Sequence, residues 1–227
     1  RFDPASDPDL TVHFSAADYR INKPLARRAL RQELGLAQEE GAPILSVVSR
    51  LAGHKGIDLL LYAAERILHE RNVQLVVCGS GEARFESALA SLAARYPGRC
   101  IAYIGFHPNL AGRIYAGSDL YLMPSRSEPC GLSQLIAMRY GAVPVVHTVG
   151  GLRDTVTPYD ETTGAGRGFT FQSYNGDDFL SAIHRACALY FDRHDACESL
   201  VLRNMSLDFS WNAPAAEYLR LYWNLCV

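Results

Sequence analysis

Apolar runs of strand length recur along this chain, and most are followed by a stretch of helical spacing. Pro43 to Ser49 (PILSVVS) is the clearest, a continuous apolar run of the kind a strand buried on both faces requires. From Gly56 to Arg71 the period becomes helical, with Leu59, Leu60, Ala63, Ala64, Ile67 and Leu68 on one side. Val73 to Cys78 is a second predicted strand, closed by Gly79-Ser80-Gly81, and Glu82 to Tyr96 a helix with Phe85, Leu89 and Leu92 inward. Cys100 to Ile104 is a third strand, Asn109 to Ala116 a short helix closed by Gly117, and Leu120 to Met123 a fourth strand. A helix from about Cys130 to Tyr140 follows. Val143 to His147 and Gly168 to Phe171 are the fifth and sixth strands, and from Asp177 the chain reads as helical to its end. Such alternation with short links restricts the fold to the α/β class, as a doubly wound, parallel, Rossmann-like sheet of about six strands.

Right-handed crossovers then bring the loops after the strands to one edge. Four loops collect there: Arg50 to Lys55, Gly79 to Gly81, Phe106 to His107, and Pro124 to Ser133. Their chemistry is mixed. Arg50 and Lys55 sit five residues apart before a helix, where a planar guanidinium and a compact ammonium together suit a pyrophosphate; two solvated surface charges are the plainer reading. Glu128 stands between a strand end and a helix start, followed by Pro129, Cys130, Gly131, Leu132 and Ser133. A carboxylate there favours the helix dipole by about 0.3–1 kcal/mol, and Pro suits a first turn. Capping does not explain the Gly and small polar residues just inside, which let an anion approach backbone N–H groups. A sugar attached to a diphosphate satisfies both the carboxylate and the anion-friendly loop.

Other candidates carry less. Gly79-Ser80-Gly81 lacks the third Gly of a dinucleotide fingerprint, since Arg84 holds that place, so a tight turn is favoured over a nicotinamide site. Phe106 is either core or a platform for a nucleotide base. Cys130 is either a thiol activated by a helix start or a ligand-lining residue. Gly150-Gly151 reads as a backbone turn, with close approach to a ligand the sharper alternative. A lone carboxylate argues against the paired acids of hydrolytic glycosidases. The 7 His show no metal spacing, and no cofactor is expected.

Composition sets bounds on all this. Within 227 residues, 48% are hydrophobic, which supports one large ordered domain over 1–227. The formal charge of −2 offers no basic field for a nucleic acid. The 6 Cys lack C-x-x-C spacing, which disfavours structural zinc and a disulfide scaffold. No apolar run has membrane-spanning length. The opening Arg1-Phe2-Asp3-Pro4 has no Met, so the chain reads as a fragment.

The segments SRLAGHKGIDLL, PSRSEPCGLSQLIAMRYGAVPVV and TVGGLRDTV resemble the carboxy-terminal domain of bacterial glycogen synthases and plant starch synthases. The similarity runs nearly end to end, from a post-hinge segment over 1–22 to a terminal crossover helix over 209–227. It implies the C-terminal half of a GT-B glycosyltransferase. By motif, Arg50 and Lys55 would hold the diphosphate, with Gly131, Leu132 and Ser133 adding contacts to it. Glu128 would bind glucose hydroxyls, Cys130 and Gly131 would line that pocket, and Phe106 would lie beside the base. The resemblance further implies glucose transfer with retention from ADP-glucose to an α-1,4-glucan, without metal, with the acceptor site on an amino-terminal domain outside this chain. The setting would be the bacterial cytoplasm or a plant plastid. Two departures stand out. Ala52-Gly53-His54 replaces a Thr-x-Gln-like run, and Ile136 occupies the place of a second Glu found in related families that use UDP-sugars.

Overall fold

The computed structural model describes residues 2–105 and 107–225. An opening segment leads into α1 (Tyr19–Leu34), and the alternation then begins: β1 (Ile44–Val48), α2 (Ile57–Glu70), β2 (Gln74–Gly79), α3 (Ala83–Arg95), β3 (Cys100–Ile104), α4 (Pro108–Gly117) and β4 (Leu120–Met123). It continues with α5 (Ser133–Arg139), β5 (Val143–His147), α6 (Gly150–Thr155) and β6 (Phe169–Phe171), and ends in α7 (Gly176–Asp192), α8 (His194–Met205) and α9 (Asn212–Leu225). All pairings are parallel and the strand order is β3-β2-β1-β4-β5-β6. The expected Rossmann-like sheet of six strands is therefore present.

Alternate residues of the central strands serve two layers. Ile44, Val76 and Cys78 pack with Leu30 of α1 and with Leu110 and Ile114 of α4, while Leu45, Val47, Leu75 and Val77 join the larger cluster that contains the apolar stripe of α2. Both faces are covered, which is why these strands read as unbroken apolar runs. Each fully buried Leu or Ile stabilises the fold by roughly 1.5–3 kcal/mol relative to exposure.

Three local expectations need correction. The helix after β4 starts at Ser133 rather than near Cys130, because Gly131 takes a left-handed φ of 72° that a helix cannot include. Gly150-Gly151 opens α6 instead of forming a turn. The carboxy-terminal region is three helices, with a break at Arg193, where φ −139° and ψ 61° leave helical space. Helix α1 was not foreseen at all.

The strand order reverses direction between β1 and β4. Chains leaving these neighbours run to opposite sides of the sheet, so a crevice opens beyond their carboxyl ends, the usual ligand position in open parallel sheets.

Candidate functional site

Two loops form this crevice. The loop after β1 runs through a short 3-10 turn, Gly53–Lys55, and the loop after β4 runs from Pro124 to α5. They are tied together: Arg126 N donates to His54 O at 2.9 Å. Gly56 allows the contact, since a Cβ there would lie 1.9 Å from Pro124 O and its φ of 73° is left-handed. Between the loops lies a cavity of about 400 Å³ whose lining includes Arg50, Lys55, Ser125 and Glu128. The two cations and the carboxylate singled out in the sequence thus face one space.

Glu128 is buried, and its Oε2 accepts from Lys55 Nζ at 2.6 Å and from Ser125 Oγ at 3.2 Å. The cation assigned to phosphate and the carboxylate assigned to sugar hold each other here. Arg50 is exposed at the rim, where its guanidinium lies 3.4 Å from His54 Nε2. It has no carboxylate partner among the described residues. That leaves a guanidinium available to an anion.

Gly131, Leu132 and Ser133 line the same cavity. Among the described residues their N–H groups have no hydrogen-bond partner. Adjacent unpartnered backbone donors on a cavity wall suit an acceptor-rich ligand. The Ser133 hydroxyl turns inward to Met123 Sδ, 3.4 Å away. Leu132 and Cys130 are exposed. The loop is braced from behind by α6. Gly151 N donates to Glu128 O at 3.0 Å. Cβ atoms at Gly150 and Gly151 would come within 2.1 Å of Glu128 O and 1.9 Å of Cys130 O.

The Gly79-Ser80-Gly81 turn has a similar structural use, because Cβ atoms at Gly79 and Gly81 would meet Ser49 O at 1.8 Å and Leu51 O at 2.2 Å. It carries the backbone of the β1 loop. Phe106 lies outside the described residues.

Sequence reasoning missed three polar residues. Ser125 is buried beside Glu128, in an i, i+3 relation that the sequence displays. Gln134 is buried with Ala137 and Met138, so an amide at the core spacing of a helix was the available signal. His147 is buried at the end of β5, with Nδ1 2.8 Å from Ser125 O and Nε2 3.1 Å from Gln172 O. It anchors the carbonyl of the residue that holds Glu128. Among the described residues no group of His, Cys, Asp and Glu could hold a metal ion, and no helix is long and apolar enough to cross a membrane.

Comparison with known proteins identifies the family and the fold. Residues 28–198 match the family model described as Glycosyl transferases group 1. The glycogen synthase of Bacillus licheniformis is 46% identical over 221 residues, spanning 97% of this chain and 45% of that protein. That of Geobacillus thermodenitrificans is 44% identical over 224 residues, spanning 99% and 46%. The chain therefore spans less than half the length of these curated relatives. The solved catalytic domain of Starch Synthase IV from Arabidopsis thaliana, bound to ADP and acarbose, superposes with a TM-score of 0.91 at 35% identity, over 98% of this chain and 46% of that one. The six-stranded parallel sheet corresponds to the Rossmann-like carboxy-terminal domain of a GT-B glycosyltransferase. The chain belongs to the glycosyl transferases group 1 family.

Proposed function

We propose that this chain is the donor-binding domain of a retaining glucosyltransferase that moves glucose from ADP-glucose to the non-reducing end of an α-1,4-glucan. One observation carries the reading: a single cavity presents Arg50, Lys55 and the unpartnered N–H groups of 131–133 together with the buried carboxylate of Glu128. The ADP in the Arabidopsis structure and the names of the bacterial relatives support ADP-glucose as donor and a glucan as acceptor. Ile136, where UDP-sugar relatives are expected to carry a second Glu, supports the same donor. The acceptor site falls to the part of the protein beyond this chain. The bacterial relatives support a cytoplasmic setting, with a plastid the alternative for a plant source.

The chemistry follows from where charge develops. As the bond between glucose C1 and the diphosphate oxygen breaks, its electron pair stays with the diphosphate. Arg50, Lys55 and the loop N–H groups stabilise the diphosphate more as that charge grows than in the intact sugar diphosphate, so they lower the barrier rather than merely bind, while the acceptor hydroxyl bonds to C1 and gives its proton to the departing diphosphate oxygen. Glu128 accepts hydrogen bonds from glucose hydroxyls and fixes C1 toward the incoming acceptor hydroxyl. Leu132 lines the cavity, whereas Cys130 is exposed beside it and outside its lining. The Ser133 hydroxyl adds a phosphate contact once it turns from Met123.

Arg50→Ala and Lys55→Ala in the intact protein test this. Loss of a preorganised donor to a developing anion commonly costs about 10²–10³ in rate, so each variant should lose turnover on that scale. Near-normal turnover in both would overturn the assignment. Equal calorimetric affinity for ADP-glucose and UDP-glucose would overturn the donor.

A further inference from the structure

We propose that Gln134 is a positioning residue that turns the N–H groups of the 131–132 backbone toward the bound diphosphate; the inference rests on the donor-site reading above. Gln134 is fully buried at the second position of α5. Its Nε2 donates to Gly131 O at 2.9 Å and to Thr155 Oγ1 at 3.1 Å, with Cys130 O at 3.5 Å. In a trans peptide the carbonyl and the following N–H point in opposite directions. Drawing Gly131 C=O inward therefore turns the Leu132 N–H outward, and the weaker pull on Cys130 C=O does the same for the Gly131 N–H. These are two of the unpartnered donors on the cavity wall.

The direction of the amide is itself determined. Thr155 Oγ1 donates to Gly151 O at 2.6 Å, so its oxygen is left to accept, and only the NH2 of Gln134 can meet it. In this orientation Gln134 Oε1 is buried with no hydrogen-bond partner among the described residues. An unpaired buried acceptor is destabilising, and an apolar side chain of the same length would avoid it. Stability alone does not account for an amide here; holding two carbonyls does. Gly131 completes the fit, since a Cβ there would lie 2.6 Å from Oε1.

The test uses the intact protein with Gln134→Met, which keeps length and apolar bulk and removes both hydrogen-bond groups. ADP affinity should fall about tenfold, adenosine affinity should be unchanged, and the melting temperature should hold or rise. A role confined to packing would not separate ADP from adenosine. Thr155→Val, which frees the amide to rotate, should weaken ADP several-fold and serves where Gln134→Met does not fold. ADP affinity within twofold of the unsubstituted protein in every folded variant overturns the inference. If Arg50→Ala weakens ADP while these variants do not, only the role of Gln134 fails. If the unsubstituted protein binds no ADP, the donor-site reading and this inference fail together.

Discussion

Lys55 and Glu128 stand 2.6 Å apart, yet the proposed ligand asks them to serve its two ends. Ligand binding must therefore share or divide the pair. A bare diphosphate takes Lys55 and leaves the carboxylate facing an anion, whereas a sugar diphosphate supplies hydroxyls to the carboxylate. Glu128→Gln should then bind ADP at least as well as the unsubstituted protein, because Lys55 is released. It should also lose preference for ADP-glucose over ADP by about tenfold or more, the scale of a hydrogen bond to a charged group at about 1.5–3 kcal/mol. Calorimetry with both ligands decides. Equal loss of both would make Glu128 an anchor for Lys55 and nothing more. At this scale the sequence was informative wherever punctuation marked a residue: Glu128 lies between a strand and a Gly, and Arg50 and Lys55 bracket a turn. Their mutual ion pair was not legible, since it depends on how closely Gly56 lets the two loops approach. Ser125 stood in a legible i, i+3 relation to Glu128, whereas His147 depends on how the end of β5 packs against the loop after β4.

Most strands were legible because both faces are buried, and β3, β4 and β5 fall on the expected residues. The helix that escaped, α1, shows why pattern reading fails there. Pro24 lies inside it, and of its four buried residues two are Lys23 and Arg31, so its inward stripe looks polar. It is held by tertiary contacts instead: Arg31 Nε donates to Gln74 Oε1 at 2.8 Å and Lys23 Nζ to Tyr140 O at 2.8 Å. Burial pushes the Lys23 amine down to about 7, against a smaller opposing pull from Asp119. The unfolded chain keeps an ordinary lysine value of about 10.4, so between those values it holds more protons than the folded one, and stability rises with pH. Below pH 7 both forms are protonated and the contribution is flat. From pH 7 to 8.5 the folded protein should gain roughly 1–2 kcal/mol relative to Lys23→Met, given 1.36 kcal/mol per unit of pKa difference. The other titrating groups are common to both proteins and cancel in that difference. Parallel urea titrations at the two pH values measure it, and a constant gap between the proteins would show that the amine stays charged in the fold.

Across the whole molecule, the parallel sheet follows from alternation alone, whereas the strand order that sets the switch point between β1 and β4 does not, and α9 finds no place within the sheet. Trp211, Leu219, Tyr222, Trp223 and Leu225 along this end of the chain are 71%, 59%, 58%, 72% and 73% exposed. Apolar surface on this scale is a surface for contact. The chain spans 45% of one glycogen synthase and 46% of another, and on the proposed function a second lobe that carries the acceptor site would cover this face. Donor affinity and transfer should therefore separate. The cavity proposed for the donor is built from two loops of one sheet, so the 227-residue chain alone should bind ADP. Saturation at 100 times the dissociation constant then adds about 2.7 kcal/mol of stability, visible as a rise in melting temperature. Transfer needs an acceptor held against C1 and water kept out, which on the proposed function closure of a second lobe would supply. The same preparation should release no ADP from ADP-glucose and add no glucose to glycogen, while on the proposed function the intact protein should do both. Elongation by the isolated chain would move the acceptor site onto this domain. Failure of ADP to raise the melting temperature would mean that the cavity between β1 and β4 is not an ADP site in this chain alone.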